Sequence, residues 1–203
     1  MVRNIVFDLG GVLIDWNPRY LFKNVFSKQD ELDFFLTEVC SFDWNEAQDA
    51  GRSIADANAV LIQVYPEYEH QIRMYYEKWT EMLGGVFEEN IKLLEDLKKQ
   101  KKLNLYALTN WSAETFPEAC KRYDFLQLFD GIVVSGVEGI KKPDRAFFEL
   151  LFNRYNFEPS QSLFIDDNLR NVQSALKLGM PSIHYTRDVD LARELKTRKI
   201  LLT

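Results

Sequence analysis

Five short runs rich in β-branched and apolar residues, at positions 4–9, 103–109, 131–135, 162–166 and 182–185, alternate with amphipathic stretches at 88–99, 113–123, 145–155 and 168–178. Runs of this length bounded by turn formers are buried strands, and the stretches between them carry the 3.6-residue period of helices. Strands separated by helices pair in parallel, because each helix serves as the crossover that returns the chain to the same end of the sheet. The pattern predicts an α/β fold, a doubly wound parallel sheet with helices on both faces.

The alternation fails once. From Trp16 to Phe87 no comparable strand signal occurs, and the segment reads as helices broken near Asn17-Pro18, Ala50-Gly51 and Tyr65-Pro66. It holds half of the chain's aromatic residues in about a third of its length. That is enough apolar surface for a small core of its own. The expected organisation is therefore a discontinuous α/β core domain over residues 1–15 plus 86–203, with a small all-helical cap domain inserted at 16–85. Trp44-Asn45 is expected on a loop of that insertion, and Lys196 to Lys199 reads as a solvated basic helix end.

Composition narrows the partners. With 25 Lys and Arg against 31 Asp and Glu the 203-residue chain carries a net charge of −6 and no basic stripe, which excludes nucleic acid as the expected partner. Two cysteines, Cys40 and Cys120, form neither a disulfide framework nor a zinc site and read as free buried thiols. No apolar stretch is long enough to cross a bilayer, and the N-terminus has no secretory pattern, so the expectation is a cytoplasmic protein without membrane contact. The aromatic surplus allows either a monomer or a homodimer.

The chemistry concentrates where strands end. The first is followed by Asp8-Leu9-Gly10-Gly11, a carboxylate at the ligand-binding edge of a parallel sheet with glycines that let the backbone turn, although Asp before Gly-Gly is also a common turn. The fourth ends in Asp166-Asp167-Asn168 at the same edge. Crowded carboxylates need a cation, and oxygen ligands without His or Cys point to Mg²⁺; helix capping by Asp167 or Asn168 is the competing reading. After the second strand, Thr109-Asn110-Trp111-Ser112 offers a hydroxyl and an amide ahead of a helix, suited to a phosphate or to capping. Lys141 and Lys142 precede Pro143 on a loop. His70 and His184 show no metal-ligand spacing.

This order of motifs resembles the haloacid dehalogenase (HAD) superfamily, over the whole chain and including a helical cap after the first motif. The resemblance implies that Asp8 is a nucleophile forming an aspartyl-phosphate, that Thr109 and Asn110 bind phosphoryl oxygens, and that Lys142, directly before Pro143, holds Asp8 and the phosphate together. It further implies Mg²⁺ held by Asp8, the Gly10 carbonyl and Asp167, with Asp166 direct or through water. The implied activity is a Mg²⁺-dependent phosphatase acting on a small phosphorylated metabolite, such as a sugar phosphate. Gly10 departs from the pattern, since most phosphatases resembling this chain carry a general-acid Asp two residues after the nucleophile. Asp15 is a positional candidate to replace it. Two other readings remain: a metal-independent 2-haloacid dehalogenase, which has no need of the retained Asp166-Asp167 pair, and a catalytically weak protein that binds a phosphorylated ligand or a partner. Substrate contacts are expected from the cap, with Trp16, Trp44, Asn45 and Arg52 as candidates beside Asp15.

Overall fold

The computed structural model describes residues 2–200. Among these the strands are β1 (Asn4–Phe7), β2 (Ile14–Trp16), β3 (Leu83–Val86), β4 (Asn104–Thr109), β5 (Gly131–Val134), β6 (Ser162–Asp166) and β7 (Ser182–His184). The α-helices are α1 (Arg19–Phe22), α2 (Gln29–Phe34), α3 (Phe42–Asp49), α4 (Ile54–Val64), α5 (Glu69–Glu77), α6 (Glu88–Lys99), α7 (Phe116–Arg122), α8 (Ser135–Glu138), α9 (Arg145–Tyr155), α10 (Leu169–Lys177) and α11 (Leu191–Thr197).

Five strands form one parallel sheet in the order β5-β4-β1-β6-β7, the α/β architecture expected. Successive side chains of a strand face opposite ways, so each central strand feeds two cores. Ile5, Phe7, Leu105, Ala107, Leu163 and Ile165 pack with residues of α6 and α11. Val6, Tyr106, Leu108 and Phe164 pack on the other face, against α9 and α10. Each fully buried Leu, Ile or Phe contributes roughly 1.5–3 kcal/mol of transfer free energy, which makes β1 the anchor of the sheet. The predicted strand at 4–9 stops at Phe7, because the chain turns at the two glycines, yet the Asp8 N–H still donates to the Ile165 carbonyl at 2.8 Å. The helix expected from 113 begins at Phe116: Pro117, lacking an N–H, fits only the first turn.

Between β2 and β3 the regular structure is helical. Its rings pack together, with Phe22–Phe35 centroids 4.8 Å apart, Phe26–Phe35 5.1 Å and Phe22–Tyr75 5.8 Å, but they form one buried cluster with Ile5, Phe7 and Leu94 rather than the separate core expected. Trp44-Asn45 lies not on a loop but inside α3, whose N-terminus is fixed by the Ser41 hydroxyl accepting from the Trp44 N–H at 3.2 Å. The β2–β3 ladder is antiparallel, pairing Ile14 with Val86 and Asp15 with Gly85. It was not expected, because strands of three and four residues carry no readable period and their pairing joins distant positions. It ties the entry of the helical segment to its exit. A Cβ at Gly84 would lie 2.6 Å from Asp15 Oδ2 and 2.6 Å from the Tyr20 ring, so glycine there makes room for the Tyr20–Asp15 hydrogen bond of 2.7 Å. Cys40 is buried and Cys120 exposed, correcting the expectation of two buried thiols; both are free. Among the described residues no helix is long and apolar enough to cross a membrane.

Candidate active site

The site follows from strand adjacency. β1 lies between β4 and β6, with Phe7 in register with Ala107 and Ile165, so Asp8, Asn110 and the Asp166-Asp167 pair all emerge at the carboxyl edge of three neighbouring strands. In an open parallel sheet that edge is the ligand-binding edge.

Lys142 reaches this point from the loop before α9. Its side chain is fully buried, with Nζ 2.9 Å from Asp8 Oδ2 and 2.8 Å from Asp166 Oδ2, while 5.6 Å separates it from the centre of the Phe164 ring. Lys141 turns away and pairs with Glu46 at 2.6 Å. Asn110 fixes the Lys142 backbone from both sides. Its Oδ1 accepts from the Lys142 N–H at 2.9 Å and its Nδ2 donates to the Lys142 carbonyl at 2.9 Å. An amide read from sequence as a phosphate ligand therefore also sets where the lysine begins.

Burial pushes the Asp8 carboxyl well above its usual range; the Lys142 ammonium pulls it back, and Asp166 and Asp167 push it up again. For Lys142 burial alone would favour the neutral amine, but Asp166 and Asp8 outweigh it and hold the ammonium above its ordinary value. Asp167 is raised by burial and by Asp166, with Lys142 opposing. Two carboxylates thus share one ammonium, with a third beside them. Asp8, Asp166 and Asp167 each offer an oxygen within 4.8 Å of the others, the spacing and donor chemistry of a hard divalent cation. The residues present fit such an ion.

The supports of this cluster are specific. Asp166 accepts from the Asn168 N–H at 2.7 Å and from Asn171 Nδ2 at 3.1 Å, leaving Asn171 Oδ1 buried without a partner. Gly11 adopts φ +70°, and a Cβ there would lie 2.1 Å from Asp167 Oδ2, so only glycine lets that carboxylate lie against the turn. His184 Nε2 meets the Asp167 carbonyl at 2.9 Å, as its donor in that tautomer. Thr109 Oγ1 is also buried and unpartnered, an acceptor or donor held ready at the end of β4.

A cavity of about 330 Å³ opens over these groups. Of the sequence candidates, Asp8, Gly10, Trp16, Asn45, Asn110 and Asp167 line it, whereas Thr109, Lys142 and Asp166 lie beneath its wall. Trp44 is packed edge-on to Tyr75 at 5.3 Å, and Arg52 holds Gln48 and the Trp44 carbonyl. Neither lines the cavity. Asp15 is bonded to Tyr20 and Arg187 and is likewise absent from the wall. The structure adds Asp49, Tyr76, Trp79, Trp111 and Asn171. Of these Asn171 had a local signal, its place one helical turn beyond Asp167, and Trp111 directly follows Asn110 in the motif after β4. The others depend on where the helical segment folds over the sheet.

The sheet thus presents a lysine-bridged aspartate after its central strand and a carboxylate pair at the end of the next, an arrangement in which a carboxylate can serve as a nucleophile. Residues 2–179 match the model of the haloacid dehalogenase-like hydrolases, and the chain belongs to that family. It is 29% identical to the sesquiterpene phosphatase astK of Aspergillus oryzae, across 94% of this chain and 93% of that protein. With a phosphorylated carbohydrates phosphatase of Thermotoga maritima it shares 22% identity, over 89% of this chain and 83% of the relative. Its fold is similar to a HAD family enzyme of Bacteroides thetaiotaomicron, crystallised with magnesium and inorganic phosphate, at TM-score 0.71 and 22% identity, covering 96% and 99% of the two chains.

Proposed function

We propose that the protein is a Mg²⁺-dependent phosphatase of a small phosphorylated metabolite, working through an aspartyl-phosphate on Asp8, with the helices inserted between β2 and β3 acting as a cap over the α/β core. The observation that carries this reading is the single ammonium of Lys142 at 2.9 Å from Asp8 and 2.8 Å from Asp166, beside a third carboxylate. An attack on carbon by Asp8, as in a dehalogenase, has no need of that acidic pair.

In this reading Asp8 Oδ2, the oxygen that faces Lys142, attacks phosphorus while Oδ1 is steadied by the Leu9 N–H at 2.7 Å. Lys142 neutralises charge between nucleophile and phosphoryl group, and Thr109 Oγ1, which has no hydrogen-bond partner among the described residues, donates to a phosphoryl oxygen. Mg²⁺, held by Asp8, Asp167 and the Gly10 carbonyl with Asp166 behind them, would supply charge neutralisation at the phosphate. Trp16, Trp79 and Trp111 give the cavity broad apolar faces, which suit either the C–H face of a sugar or a hydrocarbon chain.

The test is hydrolysis of p-nitrophenyl phosphate with and without Mg²⁺, by the native protein and Asp8→Asn. Metal-dependent turnover that disappears in the variant is the expected result, to be followed by a comparison of hexose and prenyl phosphates. Absence of turnover in the native protein, with metal-free release of chloride from 2-chloropropionate, would replace this reading by the dehalogenase one.

A further inference from the structure

Four carboxylates line the cavity: Asp8, Glu46, Asp49 and Asp167. Asp8 holds Lys142, Asp167 belongs to the acidic cluster, and Glu46 is paired with both Lys141 and Arg170. Asp49, at the last turn of α3, is in none of the ion pairs among the described residues. Its Oδ2 accepts from Asn45 Nδ2 at 3.1 Å, and the Ser112 backbone of the loop after β4 is close enough to act on its charge. Asn45 is itself held. Its Oδ1 accepts from the Tyr76 hydroxyl at 3.0 Å, Tyr76 accepts from Gln48 Nε2 at 3.2 Å, and Gln48 Oε1 accepts from Arg52 Nε at 2.8 Å. A carboxylate without an ion-pair partner among the described residues is thus held at the cavity wall by a chain of four polar side chains. At Gly10, by contrast, a Cβ meets nothing within 4 Å, so the place two residues after the nucleophile is open space.

We propose that Asp49 is the proton donor to the leaving oxygen, supplied from the helical segment in place of a side chain at Gly10. The inference rests on the phosphatase reading above. As Asp8 forms its bond to phosphorus and the bond to the ester oxygen breaks, the Asp49 proton passes to that oxygen and the alcohol departs. Water then attacks the phosphorus of the aspartyl-phosphate, Asp49 takes the proton it loses, and the bond to Asp8 breaks to release phosphate. Burial, reinforced by Glu46, pushes the Asp49 carboxyl up to about 7, with Lys141 and the Ser112 N–H opposing. That places both protonation states within reach at neutral pH, as an acid that becomes a base requires. The other titratable groups around it, Tyr75 and Tyr76 of α5, are held neutral by burial, and Arg52 acts through Gln48 and Tyr76.

The experiment compares native protein and Asp49→Asn, both with Mg²⁺, on p-nitrophenyl phosphate and on a simple alkyl phosphate. The good leaving group needs little protonation and the alkoxide needs it fully. The expected result is a loss of about 10²-fold or more in kcat/KM on the alkyl ester against less than about tenfold on the nitrophenyl ester. In the native protein, alkyl ester turnover should fall as pH rises through about 7, and Asp49→Asn should lack that fall. Equal losses on both esters, no loss on either, or an alkaline limb retained in the variant would each overturn the assignment. A native protein inert toward both esters would instead sink the phosphatase reading itself, and this proposal with it.

Discussion

Glu46 Oε2 lies 2.6 Å from Lys141 Nζ, joining the helical segment to the residue next to the buried lysine of the site. The other Glu46 oxygen meets Arg170 of α10 at 2.9 Å, so one carboxylate of α3 holds both the loop before α9 and the start of α10. The Lys141 pair is mostly shielded and the Arg170 partner is half exposed, so the first carries more of the effect. Glu46→Gln is expected to lower kcat/KM by about fivefold, corresponding to about 1 kcal/mol, and to speed amide exchange over residues 42–52. Unchanged exchange there would show that the seating of α3 does not depend on this clamp.

Removing Lys142 should be far more costly. Lys142→Met leaves Asp8 and Asp166 crowded without their shared cation, a loss of about 3–5 kcal/mol in urea unfolding without metal. Mg²⁺ should recover part of that stability while activity stays absent. A variant as stable as the native protein in EDTA would show that the carboxylates find another counter-charge.

Gly11 should not tolerate a side chain. Gly11→Ala adds a Cβ into the Asp167 carboxylate at a backbone φ of +70°, and about a 10- to 100-fold weaker apparent affinity for Mg²⁺ is expected from activity titrations. Gly10→Ala, with open space around its Cβ, should leave the affinity within about twofold. Equal affinities in the two variants would refute the role given to the turn.

Stability should fall with rising pH when metal is withheld. Asp8, Asp49 and Asp167 have folded-state pKa values raised above the ordinary 3.8, so between that value and their raised ones the folded protein binds more protons than the unfolded chain. Their contribution is present below about pH 4 and lost as pH climbs through the raised values, about 7 for Asp49. The urea midpoint in EDTA should therefore be lower at pH 8 than at pH 5.5, with the gap narrowing in Mg²⁺. A midpoint that rises over this interval would contradict the assignment of raised pKa values.

The chain's local patterns carried the sheet and its strand-end chemistry. The runs at 162–166 and the helices at 88–99 and 145–155 were legible to the residue, since each is long or apolar enough for its period to show. Asp8 and the Asp166-Asp167 pair were legible because a strand's end is a local event and parallel pairing puts all such ends on one edge. What the sequence could not display is every feature made by chain segments far apart. The β2–β3 ladder joins positions 14 and 86, Trp44 turned inward on a helix, and Asp15 was drawn off by Arg187, across 172 positions. Sequence alone therefore determined which chemical groups stand at the sheet edge. Only the tertiary structure decided that Lys141 is drawn off to Glu46 and that Asp49 lines the cavity above them, because those placements depend on packing between segments and on no residue's own propensity.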